Sequence, residues 1–108
     1  MAETLLVEYG RENGSRVVRL IGELDLAGAP RVKQAGLAAL SALDDDGSPL
    51  IVDVSELAFC DSSGLSALYA IRAQAAASGH SVILRRPQHG LRVVLEVTGM
   101  LSLFVIED

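Results

Sequence analysis

The stretch LIVDVSELAFCDSSGLSALYAIR, Leu50 to Arg72, decides how the rest of the chain is read. Leu50, Ile51, Val52 and Val54 form an apolar, β-branched run bounded by Pro49 and Ser55, the composition of a strand covered by other elements. From Leu65 the period changes. Leu65, Leu68 and Ile71 fall three apart among Ala67, Ala70 and Ala73, and Gly79 stands where a helix ends, so a helix is expected from Leu65 toward Gly79. Asp61-Ser62-Ser63-Gly64 is the pivot between the two. Two hydroxyls therefore stand at a helix N-terminus, where unpaired amides and the macrodipole favour negative charge; a serine there can cap the helix, hold an anion or carry a phosphate. Capping is the plainest reading, because Ser and Asp are the commonest caps. A cap needs one oxygen, however, and Asp61, Ser62 and Ser63 offer three in succession. Gly64 costs about 1 kcal/mol of helix propensity relative to alanine, a loss that a closely approaching partner, or packing against the sheet, would explain.

Composition bounds the rest. The 108 residues suit one domain spanning 1–108, and half are hydrophobic with 4% aromatic and no Trp, so the core is expected from Leu, Val, Ile and Ala. A net charge of −5 disfavours direct nucleic-acid binding and an anionic membrane surface, and favours a protein partner. Cys60 is the single cysteine; beside apolar Phe59 it reads as a buried free thiol in a reducing compartment. No apolar run approaches membrane-spanning length and the N-terminus MAETLLVEYG lacks a signal-peptide pattern, so a cytoplasmic protein without membrane insertion is expected.

Taken in order, Glu3 to Tyr9 and Ser15 to Leu20 read as strands joined by a hairpin turn at Glu12-Asn13-Gly14, and Gly22-Glu23-Leu24-Asp25 ends the second strand. Gly28-Ala29-Pro30 opens a helix to about Leu43, whose stripe is Val32, Ala35, Gly36, Ala39, Leu40 and Leu43. Asp44-Asp45-Asp46 lacks EF-hand spacing and reads as a solvated turn. Ser81 to Arg85 is a short strand, Leu91, Val94, Leu95 and Thr98 a third helical stripe ended by Gly99, and Leu103 to Ile106 a last strand. The order β-β-α-β-α-β-α-β implies an α/β domain: a mixed sheet with an N-terminal hairpin, parallel pairing after it, and helices mainly on one face.

Catalytic signatures are missing from this chain. There is no Gly-x-Ser-x-Gly elbow to go with His80 and His89, which read as surface residues; no metal-ligand spacing; no Gly-x-Gly-x-x-Gly turn and no Walker A loop. Neither an enzyme nor a cofactor or metal is expected. Arg85-Arg86 reads as a solvated edge pair.

Three stretches together carry a family resemblance: Leu20 to Asp25 (LIGELD), Leu57 to Leu65 (LAFCDSSGL) and Leu95 to Met100 (LEVTGM). With their order and spacing, which cover nearly the whole chain, the sequence resembles a STAS domain of the anti-sigma factor antagonist type. The resemblance implies a partner switch: the unphosphorylated protein binds a kinase-fold anti-sigma factor and so releases a sigma factor, phosphorylation by that serine kinase reverses the binding, and a serine phosphatase resets it. By position, Ser63 matches the phospho-acceptor, and Asp25, Asp61, Ser62, Ser63 and Gly64 fall on the implied partner surface, with Glu23 in the same motif as a structural candidate. Family members usually continue into a C-terminal helix, whereas this chain stops at Asp108; the expectation is an edge or face of the sheet left uncovered, with room for a homodimer. The family also includes STAS subunits of transport or signalling complexes that do not switch, which is the alternative reading. A phosphocarrier would need a high-energy phosphoryl link, and a serine phosphate is a stable ester.

Overall fold

The computed structural model describes residues 4–108; the expected start of the first strand at Glu3 lies outside them. Strands β1 (Leu5–Glu12) and β2 (Ser15–Leu24) form the hairpin, followed by α1 (Ala29–Ser41), β3 (Leu50–Cys60), α2 (Ser62–Ala77), β4 (Val82–Arg85), α3 (His89–Val97), a single 3-10 turn at Leu101–Leu103 and β5 (Val105–Glu107). The hairpin turn is tighter than expected, with only Asn13 and Gly14 between the strands. Their φ angles of 50° and 86° are the two positive values that the twist of a two-residue hairpin requires. β1 runs antiparallel to β2, and β2, β3, β4 and β5 pair in parallel in that spatial order.

Strand alternation sorts the sheet into two unlike faces. On one, Val18 and Leu20 of β2, Leu50, Val52, Val54 and Leu57 of β3, and Val82 and Leu84 of β4 share a core with residues from all three helices. The expected stripe of α1 is buried throughout, from Val32 to Leu43, although the helix itself ends at Ser41. Gly36 marks where α1 crosses α2: a Cβ there would lie 2.4 Å from Ile71 Cδ1, so the glycine lets the helices approach. The third stripe is only partly as expected. Leu91 and Leu95 are buried, but Val94 is 37% exposed and Thr98 is exposed, because a nine-residue helix at the end of the sheet buries a narrow seam.

The alternate residues Val17, Arg19, Ile51, Asp53, Ile83 and Arg85 face away from the helices. This face is laced by arginines. Arg19 pairs with Glu8 of β1 and Glu56 of β3, and Arg85 donates to Glu12 of β1 at 2.7 and 2.8 Å and to Glu107 of β5 at 3.1 Å. Arg85 is thus the hub of a network tying β4 to both edge strands, and its side chain is 14% exposed; the solvated edge role expected of it is corrected by its carboxylate partners. On the same face Ile51 is 5% exposed and lies outside the helix-covered core cluster; long charged side chains can cover apolar surface of this kind with their stems.

His80 also departs from expectation. It is buried, with Nδ1 2.7 Å from the Ser48 carbonyl and its backbone amide donating to Ala75, so it joins the end of α2 to the loop before β3. His89 is exposed, as expected. Asp44 and Asp45 are exposed, and the Asp46 carboxylate accepts from the amide and hydroxyl of Ser48 within the turn. Among the described residues no helix is long and apolar enough to cross a membrane.

Candidate functional site

The site lies where β2 and β3 end side by side. Leu24 is opposite Cys60, and the Asp61 amide donates to the Leu24 carbonyl at 3.1 Å, so the exit of β2 and the entry of α2 are tied together. Asp25 follows on one side and Asp61 on the other. The strand extends further than periodicity suggested, to Cys60 rather than Val54, and α2 begins at Ser62, with the serine pair at its N-terminus and Gly64 in its first turn as expected.

Asp61 is the N-cap. Its backbone is extended, its Oδ1 accepts from the Gly64 amide at 3.0 Å, and its carbonyl takes the first helical bond from Leu65 at 3.0 Å. The hydroxyls of Ser62 and Ser63 take no part in this cap. Ser62 is exposed, and Ser63 is half-buried. Their amides occupy the first two helical positions, which lack intrahelical acceptors.

Gly64 is not an opening for a partner. It is buried, and a Cβ on it would lie 2.6 Å from Leu24 Cγ and 2.7 Å from Cys60 Sγ. The missing side chain is used for packing, and it allows the first turn of α2 to sit directly on the ends of β2 and β3. Cys60 is half-buried under that turn, with its thiol directed to the Asp61 carbonyl at 3.6 Å. Burial, and secondarily the Asp61 charge, pushes the thiol up to about 12, so it stays protonated and poorly nucleophilic. Phe59 beside it is 51% exposed.

Asp25 has a local role in addition to its position. Its Oδ1 accepts from the Ala27 amide at 3.1 Å and lies 3.4 Å from the Gly28 amide, holding the turn that feeds α1. The same turn lifts Leu26 out to 74% exposure. Together with Pro30 and Lys33 of α1 and Ser63 and Ser66 of α2, Leu26 lines a groove of about 390 Å³ between the two helices. Sequence reasoning missed Leu26 and Lys33. The signal for Leu26 was present, as an apolar residue between Asp25 and the Gly28-Ala29-Pro30 turn, but its partner across the groove comes from another helix. Glu23 is exposed. Among the described residues no three His, Cys, Asp or Glu side chains converge as a metal site.

Comparison with known proteins bears on the family and the fold. No curated protein sequence matches the chain significantly. Among solved structures it is similar to an anti-sigma factor antagonist from Mycobacterium paratuberculosis, at 27% identity and a TM-score of 0.76, covering 96% of this chain and 86% of that one. It is also similar to the anti-sigma factor antagonist SpoIIAA in its unphosphorylated form, at 23% identity and a TM-score of 0.72 over 96% of this chain and 87% of that one. The phosphorylated form of the Bacillus cell fate determinant SpoIIAA follows at 24% identity and 0.67, over 95% and 92%. At these two identities the likeness is one of fold. The family model described as "Mlab, STAS domain" matches residues 7–105, and with a hairpin-led mixed sheet, three helices on one face and an acid-capped serine pair opening the second helix, this chain belongs to the STAS-domain family.

Proposed function

We propose that this STAS domain is an anti-sigma factor antagonist that works as a serine-phosphorylated partner switch in the cytoplasm. Unmodified, it binds a kinase-fold anti-sigma factor through Asp25, Asp61, Ser62 and Ser63 and so frees a sigma factor. The partner then transfers the γ-phosphoryl group of ATP to Ser63: the Oγ–P bond forms, the bond to the departing ADP breaks, and the hydroxyl proton passes to a base on the kinase. A serine phosphatase restores the hydroxyl. The domain itself is a binding protein and substrate, not a catalyst.

The observation that carries this reading is the division of labour at the start of α2. Asp61 alone supplies the cap, while Ser63 lies at the rim of an apolar groove with its hydroxyl uncommitted to the cap. Modification can therefore occur without removing the cap. A phosphate adds about −1.5 to −2 charges next to Asp61 and near the Asp25 turn. A partner surface shaped for a hydroxyl and carboxylates would meet repulsion and an uncompensated desolvation cost, so binding falls while the fold persists. Gly64 contributes by packing rather than by contact.

The test is binding to the kinase-fold anti-sigma factor with and without ATP. Ser63→Ala should bind in both conditions, Ser63→Asp should bind poorly, and peptide mapping after ATP treatment should place phosphate on Ser63. Phosphate on Ser62, or phosphorylated Ser63 protein that binds as tightly as the unmodified form, would refute the switch. The family description also names Mlab, and the second reading is a STAS subunit of a transport or signalling complex that does not switch; in that case ATP leaves both the mass and the affinity unchanged.

A further inference from the structure

The groove beside Ser63 holds one cation. Lys33 is the sole lysine in the chain, it is exposed, and it lines the groove with Leu26, Ala29, Pro30, Ser63 and Ser66. Its charge is uncommitted among the described residues, whereas Arg19, Arg85 and Arg92 each pair with carboxylates. Side chains on a helix lean toward its N-terminus. Lys33, one turn into α1, therefore has Ser63 at the start of α2 across the same groove, within the sweep of a long side chain that favours the N-terminal direction.

We infer that Lys33 is the counter-charge for phosphorylated Ser63, drawing the phosphate into the groove between α1 and α2. This deepens the proposed switch and rests on phosphorylation of Ser63. The chemistry favours the pairing. The start of α2 already favours negative charge, and among the residues lining the groove, otherwise apolar or hydroxyl-bearing, Lys33 alone adds a full positive charge. An ammonium on a flexible stem can follow a phosphate without the fixed fork geometry that a guanidinium demands. Pairing occupies the groove from within the domain, so the modified protein loses both its neutral hydroxyl and its open groove. Exposed Ser62, which does not line the groove, has no such partner.

The experiment installs phosphoserine genetically at position 63 in the full chain, so that no kinase is needed and failure of the pairing is separable from failure of the switch. Phosphorus NMR then follows the second phosphate ionisation with pH, in the parent and in Lys33→Gln, with Lys33→Arg as the charge-retaining control. Pairing stabilises the dianion, so the parent should ionise at a pH lower by roughly half a unit than Lys33→Gln, and Lys33→Arg should recover much of the difference. Because there is one lysine, its carbon-labelled ε-methylene gives one signal, which should shift on modification at 63 and not at 62. An ionisation unchanged by Lys33→Gln, or a lysine signal indifferent to which serine carries the phosphate, would overturn the assignment.

Discussion

The Asp61 carboxylate caps α2 by accepting from the Gly64 amide at 3.0 Å, so the acidic residue of the site and its glycine form one structural unit. Removing the acceptor by Asp61→Ala should cost about 1 kcal/mol and lower the melting temperature. Asp61→Asn keeps an acceptor oxygen at the same place and loses only the charge. It should melt near the parent while binding the partner more weakly, as read by denaturation and calorimetry side by side. Equal affinity for Asp61→Asn and the parent would remove the charge from the partner surface.

Gly64→Ala addresses packing. The new methyl would meet Leu24 and Cys60 at 2.6 and 2.7 Å, and both are held against the sheet ends. Relief requires both side chains or the first turn of α2 to move, an overpacking cost of about 1–3 kcal/mol. Chemical denaturation should show this as a lower midpoint, and a midpoint equal to the parent would mean that the turn yields freely.

Asp25 combines two roles that substitution can separate. Asp25→Asn retains an oxygen for the Ala27 amide and should leave stability within about 0.5 kcal/mol, with weaker partner binding. Asp25→Ala removes the acceptor from the turn that positions Leu26 and α1, and should lower both stability and affinity. If Asp25→Asn binds as the parent does, the carboxylate serves the turn alone.

Asp53, on the arginine-laced face, makes stability fall in acid. Burial alone would raise its pKa, but the Ser55 hydroxyl and amide, aided by Arg19 and Arg86, outweigh burial and hold the carboxyl below its ordinary range. The folded state therefore favours the ionised form. Its contribution is fully present above the unfolded carboxyl pKa of about 4 and is lost as pH falls through the lower folded value. Glu12, beside Arg85, and Asp46, beside Ser48, shift in the same direction at the solvent surface. Stability measured from pH 6 down to pH 2 should decline less steeply for Asp53→Asn than for the parent. An identical slope would show that other carboxylates control the acid transition.

Much of this protein was legible one residue at a time. The alternation of Val82 and Leu84, the α1 stripe from Val32 to Leu43 and the change of period from Leu65 are local patterns, and burial follows them because strands and helices repeat at fixed intervals. The order of elements then constrained the sheet to a hairpin followed by parallel pairing. Asp61, Ser62 and Ser63 were also visible, because their chemistry is concentrated in a single turn. What required the folded chain was every property shared between distant segments. Gly64 is a packing residue because Leu24, forty positions earlier in the chain, lies against it. Arg85 is a hub because Glu12, 73 residues away, crosses to meet it. His80 is buried because the loop at Ser48 closes over it, and Lys33 faces the Ser63 groove because α1 and α2 pack side by side. Local sequence sets a residue's preferred conformation and face; which side chain waits on that face is decided only when the helices and strands pack.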